Sequence, residues 1–354
     1  MRLPSVRALR FLCLVSSVFC LLSSVGRADL VWTSATGWRV EGGALSGLAG
    51  AEGSKALDVM NSARTKEEQG STRSALRAYA TVAKKYPNSI YAPEALYRSA
   101  QLRLAGKDYQ KAFEDFQGVV GRYPNTKRFN EIIGEQYRIA SAVLDGARGR
   151  MLWGLLPGFK SREKGIEFFE TILANAPYSD YAPLSLMNIA RGHQKLDQIE
   201  NAIDALDRMI NNYPQNLLAP DAYLKLGQTH ATLVDGPYYD QAATKEAITY
   251  FTDFMLLFPS DTGVAAAEKG LDGMKNMLAE SKMKIGDFYF YKRSNYTAAK
   301  VFYNEAITSY PESPIAARAK LRLVDVESKA SGKKVAPEGK AEGDAPKKKR
   351  FWQF

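Results

Sequence analysis

Six proline residues mark off most of this chain, and the residues ahead of each obey one rule. The marks are Tyr86-Pro87, Tyr123-Pro124, Ala176-Pro177, Tyr213-Pro214, Phe258-Pro259 and Tyr310-Pro311. Twelve residues before each proline stands a small residue: Ala75, Ala112, Gly165, Ala202, Ala247, Ala299. Eight residues before it stands a large apolar one: Tyr79, Phe116, Phe169, Leu206, Phe251, Tyr303. Positions four apart share a helical face, so the small residue admits a neighbouring helix and the large one fills the space a turn later. The proline then ends the helix, because it breaks the hydrogen-bond ladder and restricts the residue before it. A second small residue lies upstream of four of these helices, at Ala63, Ala100, Ala190 and Gly227, where a partner helix would cross. The pattern predicts a series of helix-turn-helix pairs.

This pattern resembles the tetratricopeptide repeat, whose period is near 34 residues. The proline spacings here are 37, 53, 37, 45 and 52, so the basic unit is slightly long and three units carry insertions. The resemblance covers Ala56 to Pro311 and implies an all-α helical solenoid of about five to six units over residues 54–330. A closing helix from Ser313 to Lys329 would present Ala316, Ala319, Leu323 and Val326 inward and cap the last pair. Before the first unit, residues 29–53 hold Trp32 and Trp38 among many glycines and read as a flexible, extended arm. Either the tryptophans pack on the first helix pair or they offer a partner contact. After Pro124 and before Gly165, the segment Ala147 to Ser161 interrupts the third unit with basic and apolar residues, Trp153 and Phe159 among them. Lengthened repeat helices that bury these rings, a partner-binding loop, or a shallow membrane-surface contact through Arg148, Arg150 and Lys160 are the readings of that insertion.

The formal net charge of +10 would suggest nucleic acid if it sat on the folded body. It does not: residues 1–28 and 331–354 carry +4 each, leaving +2 for residues 29–330. A nucleic-acid partner is therefore not expected. Residues 1–28 read as a secretory signal, with Arg2, Arg7 and Arg10 before the apolar run Phe11 to Leu22 and a small-residue exit at Gly26-Arg27-Ala28. Cleavage after Ala28 predicts a periplasmic mature chain that begins at Asp29. Both cysteines, Cys13 and Cys20, fall inside the signal, which excludes disulfides, thiolate catalysis and cysteine-bound metal from the mature chain. Lipidation at Cys20 is disfavoured by the bulky Phe19 before it. The tail, residues 331–354, is too polar to order itself but ends in KKKRFWQF. Phe351, Trp352 and Phe354 behind that basic run make a candidate docking motif for a groove or for anionic lipid headgroups at the outer membrane.

No catalytic constellation is present. His193 and His230 lie in first helices of their repeats without metal-type spacing, and no phosphate loop or nucleophile elbow occurs. No enzyme activity, cofactor or metal is expected. Function then falls to the groove that first helices line in such repeats, a surface suited to extended peptides. Counting along those helices places Met60, Arg64, Tyr97, Gln101, Met187, Arg191, Leu224 and Gln228 there.

Three stretches carry a narrower resemblance: Asn88 to Thr126, Tyr238 to Asp261 and Ile285 to Ser313. They resemble the BamD-like assembly factors, periplasmic lipoproteins of the β-barrel assembly machinery. The resemblance implies binding to that machinery and receipt of unfolded outer-membrane protein segments in the N-terminal repeats. It also implies a lipidated cysteine at the mature N-terminus, which this sequence lacks. A general periplasmic adaptor in envelope division or peptidoglycan work is the alternative.

Overall fold

Each proline mark is a turn as well as a stop. In all six, the N–H two residues after the proline donates to the carbonyl of the residue before it: Ser89 to Tyr86 (3.0 Å), Thr126 to Tyr123 (3.0 Å), Ser179 to Ala176 (3.1 Å), Asn216 to Tyr213 (3.0 Å), Asp261 to Phe258 (3.1 Å) and Ser313 to Tyr310 (3.2 Å). Proline occupies the second position of a four-residue turn, the place its fixed φ suits best. The computed structural model describes residues 29–41, 51–148, 150–151, 156–157 and 161–331. The signal segment and the tail residues Phe351, Trp352 and Phe354 lie outside them.

The described chain opens with a β-hairpin, β1 (Asp29–Thr33) and β2 (Gly37–Glu41), paired antiparallel with Trp32 opposite Trp38. Thirteen α-helices follow among the described residues: α1 (Ala51–Glu68), α2 (Thr72–Lys85), α3 (Ala92–Ala105), α4 (Tyr109–Arg122), α5 (Phe129–Leu144), α6 (Arg162–Asn175), α7 (Tyr181–Lys195), α8 (Ile199–Asn212), α9 (Ala219–Thr232), α10 (Ala242–Leu257), α11 (Val264–Asp287), α12 (Tyr296–Ser309) and α13 (Pro314–Ala330). Two short strands, β3 (Arg150–Met151) and β4 (Leu156–Pro157), pair between α5 and α6. The chain divides into two units, Met1–Asp197 and Gln198–Phe354. The first packs α1 on α2, α3 on α4 and α5 on α6, with α7 against α6. The second packs α9 on α10 and α11 on α12, with α8 against α9 and α13 against α12.

The small and large positions of the sequence rule are all buried. Ala75, Ala112, Ala202, Ala247 and Ala299 are fully enclosed, as are Tyr79, Phe116, Phe169, Leu206 and Tyr303. Phe251 shows the mechanism. A methyl group added at Gly227 on α9 would lie 2.7 Å from its ring, and one at Gly270 on α11 would lie 2.5 Å from it. The ring of α10 is thus clamped between two glycines on neighbouring helices. In the second unit's last pair, Gly286 meets Tyr303 in the same way, at 2.6 Å. The first and last pairs use tyrosine where the others use Phe or Leu, and each hydroxyl finds an acid on the paired helix. Tyr79 donates to Glu67 at 2.5 Å and Tyr303 to Asp287 at 2.8 Å, so neither phenol is buried without a partner.

Two expectations are corrected. The arm is no extended strap: its described residues form a hairpin whose face packs on the first helices, and α1 begins at Ala51, three residues earlier than read. The insertion after α5 does not lengthen the helices. It adds the β3–β4 pair, while Trp153 and Phe159 lie outside the described residues. In addition, α11 runs on past Asp287 into a π-helical turn, Phe288–Lys292, where Tyr289 stacks on Phe302 at 5.5 Å. The closing helix forms as read, with the Ser313 hydroxyl capping Ala316 N–H at 3.0 Å and Ala316, Ala319 and Val326 buried.

The clamp on Phe251 predicts a coupled pair of substitutions. Gly270→Ala overpacks the site and destabilises by about 1–3 kcal/mol. Adding Phe251→Leu, which makes room, costs less in that background than in the parent, a coupling measurable by urea denaturation of the four proteins. Additive costs would show that the helices simply move apart.

Candidate functional site

The hairpin lies on the first helices of the first unit, and its local chemistry explains why it stays there. Gly37, the first residue of β2 after the loop Ser34 to Thr36, has φ +69°, a left-handed conformation that glycine adopts without a Cβ penalty. Its missing Cβ is required a second time, since one would lie 2.8 Å from Asn61 Oδ1. That oxygen accepts the Trp38 N–H at 2.9 Å. Alternation then puts Leu30, Trp32, Trp38 and Val40 on one face, and all four pack on the cluster around Ala56, Met60, Ala63 and Tyr79. Trp38 is 4% exposed. Arg98 lies 5.6 Å from its ring and Arg64 4.3 Å from that of Trp32.

Beside β1 a pocket of about 430 Å³ opens between the hairpin and the starts of α3 and α5. Leu30, Ile90, Pro93, Tyr97 and Ile132 contribute its apolar wall, and Glu94 and Arg128 its polar rim. Ile90 stands 48% exposed at the lip. Tyr97 anchors the floor. Its ring meets Phe116 edge-on at 5.9 Å, its hydroxyl donates to Glu131, and Gln101 Nε2 donates to that hydroxyl at 2.7 Å. Arg128 lies 4.5 Å above the Tyr97 ring and bonds Glu131 at 3.1 Å; it also reaches Glu94 at 3.5 Å, which Arg98 engages at 3.0 Å. Burial, then the bond to Glu131, pushes the Tyr97 phenol up to about 12, so it is a neutral donor throughout the physiological range. Burial opposes the charge of Arg128, but Glu94, Tyr97 and Glu131 outweigh it and hold that guanidinium above its ordinary range.

The sequence-derived groove residues divide accordingly. Tyr97 and Gln101 come together at the pocket. Arg64 lies under Trp32 and bonds Glu67 at 2.8 Å and Glu68 at 3.2 Å, so the hairpin already covers it. Met60 is corrected: it is fully buried in the core beneath the hairpin and meets no groove. Tyr97 is itself 3% exposed, so little of it is open to the pocket that it lines. Met187 and Arg191 lie on α7, half-buried, with Arg191 tied to Asn188 at 2.8 Å and Asp145 at 3.1 Å. In the second unit, Leu224 packs against the cluster around Phe251 and Gln228 is exposed. Sequence reading missed Arg128, Glu131 and Ile132, because the insertion after α5 hid that helix as a first helix. The parallel between Asn125-Thr126 and Asn88-Ser89 after the preceding prolines was the available signal.

Neither histidine faces this pocket. His230 stacks on Tyr250 at 5.3 Å, and burial lowers its pKa. Among the described residues no group of three or more His, Cys, Asp and Glu is placed to hold a metal ion, and no helix is long and apolar enough to cross a membrane.

The profile of the family YfiO, outer membrane lipoprotein, matches residues 160–340, just over half of the chain, and that of the tetratricopeptide repeat matches residues 60–125. Four curated relatives bear the name outer membrane protein assembly factor BamD, two of them from strains of Xylella fastidiosa. That of Rickettsia prowazekii (strain Madrid E) is 28% identical over 207 residues, covering 58% of this chain and 78% of its own. That of Caulobacter vibrioides is 28% identical over 163 residues, 46% and 53% respectively. That of Xylella fastidiosa (strain Temecula1) is 24% identical over 156 residues, 41% and 53%. The chain thus spans about half the length of the Caulobacter and Xylella relatives that it matches.

Removing the Tyr97 hydroxyl tests the pocket floor. Tyr97→Phe should cost about 1 kcal/mol in thermal or urea unfolding, since it strands polar groups of Glu131 and Gln101 that water partly reaches. Full retention of stability would mean that the hydroxyl bonds add nothing to the floor.

Proposed function

Because the chain belongs to the outer membrane lipoprotein family YfiO, we propose that it is a non-catalytic binding scaffold in outer-membrane β-barrel protein assembly. Its partners on this reading are the β-barrel assembly machinery and extended segments of unfolded outer-membrane proteins. The observation that carries the substrate half is the pocket at Tyr97: an apolar wall with Arg128 and Glu94 at its rim suits a peptide side chain and its neighbouring amides. The name shared by the curated relatives supports the assembly half.

On the same reading the mature chain is periplasmic, starts at Asp29 and associates with the outer membrane. Lipid attachment at Cys20 meets the obstacle of Phe19, so we assign retention to partner contacts and to the terminal motif Phe351, Trp352 and Phe354.

Two measurements test this. Ile90 sits at the pocket lip with half its surface in water, so Ile90→Asp leaves stability within about 0.5 kcal/mol. It should weaken binding of an unfolded outer-membrane barrel segment by about tenfold, the worth of one buried apolar side chain. Unchanged affinity places the substrate elsewhere. Crosslinking in intact cells, with full-length protein and a version lacking residues 347–354, should recover a barrel-assembly protein. Recovery of only division or cell-wall proteins would overturn the assembly role, and equal recovery from the truncated form would remove the tail from it.

A further inference from the structure

The two strands of the hairpin face different surroundings. The Trp38 N–H points away from β1 to Asn61, so Trp32 and Trp38 form a non-hydrogen-bonded pair. By alternation along the ladder, the neighbouring pair on the loop side, Thr33 with Gly37, is the bonded one. Alternation along an antiparallel ladder then fixes the rest: Val31 and Arg39 are bonded to each other, and Leu30 with Val40 is again non-bonded. The outward N–H and C=O groups of β1 therefore belong to Leu30 and Trp32. Among the described residues the sheet has only two strands, and no backbone hydrogen bond joins β1 to another element.

That edge is next to the pocket, since Leu30 lines it. The next strand of a sheet lies about 4.8 Å from its neighbour and points alternate side chains to one face. Here the face in question is the one that Leu30 and Trp32 turn toward the helices, so every second side chain of an added strand would enter the apolar wall of Ile90, Pro93 and Ile132.

We propose that β1 is a strand-addition site: an extended segment of unfolded chain with alternating apolar residues pairs with the outer edge of β1 and seats its apolar side chains in the Tyr97 pocket. Such alternation is what the transmembrane strand of an outer-membrane barrel presents before it folds. The inference rests on the substrate reading above and specifies its mode. Main-chain bonds to Leu30 and Trp32 supply affinity without regard to sequence, and the pocket selects for an apolar residue at every second position.

The test alters the ligand and leaves the protein intact. A nine-residue peptide of alternating apolar and polar residues is titrated into the full-length mature protein by fluorescence anisotropy. Two further versions carry N-methyl groups on three alternate residues, one on each register. One register should lose at least about tenfold in affinity, because its N–H groups face β1, and the other should stay within about twofold of the parent. Equal effects of the two registers, large or small, overturn strand addition while leaving the substrate reading standing. No binding of the parent peptide would overturn both. A protein variant gives a second measure: Leu30→Pro removes one outward N–H, a change that edge strands accept. Binding of the parent peptide weaker than in Leu30→Ala, which shortens the same pocket side chain but keeps the N–H, with a melting temperature within a few degrees of that variant's, supports the edge, and affinity equal to that of Leu30→Ala removes it.

Discussion

Everything in this fold depends on helices that approach closely enough for one large side chain to touch two neighbours. A methyl group at Gly165 would stand 2.8 Å from the backbone nitrogen of Leu144, so α5 and α6 meet nearly backbone to backbone. One at Gly192 on α7 would stand 2.7 Å from Ile166 and 2.8 Å from Leu144, which draws a third helix onto the same point. Interior packing has the density of organic crystals, so a residue that occupies this crossing sets the spacing of everything stacked on it. In the second unit glycines on neighbouring helices serve the aromatic directly: Gly227 and Gly270 make room for the Phe251 ring, and Gly286 for that of Tyr303. The terminal tyrosines extend this packing: Tyr79 and Tyr303 fill the same volume as phenylalanine and add a bond to an acid on the partner helix.

Those parts of the architecture were legible because they are written within about a dozen consecutive residues. The proline turn, the small residue and the large one all lie on one second helix, and their spacing survives insertions elsewhere. The hairpin was not legible for the opposite reason. Its inward face is four residues, Leu30, Trp32, Trp38 and Val40, divided by a loop whose only turn signal is Gly37. With glycines crowding the residues after it, the segment reads as an arm. The π-helical turn after α11 was equally hidden, since a shift to wider hydrogen bonding leaves no mark in a run such as Phe288 to Lys292.

The site was half legible. Helical phase picks out Tyr97 and Gln101 because α3 repeats the register of its neighbours. The same counting fails at Met60, where the face that would line a groove in an uncovered repeat lies beneath a hairpin. Phase describes a helix by itself and is silent about what lies on top of it. It also passes over Arg128 and Glu131, whose importance comes from α5 facing α3 across the pocket. Glu131 is an exposed residue of α5 and Arg128 a half-buried one just before it, and only the meeting of the two helix starts turns them into a clamp on one phenol.

The hairpin's asymmetry gives this arrangement its direction. Burial of one face fixes register firmly, because a slip of one residue would turn both tryptophans into solvent. The anchoring falls mainly on β2, through the buried Trp38 ring and the Asn61 bond, while β1 contributes Trp32 and Leu30 from the outer side. A strand held by its neighbour and bordered by a pocket can keep its outer backbone groups toward water without loss of position. An isolated two-stranded hairpin is marginal in water; packed on a stack of helices it becomes a rigid edge. The repeats thereby lend to two short strands a firmness that their own sequence does not contain, and the hairpin gives the helices the one feature a helical surface lacks, a row of main-chain groups spaced for another strand.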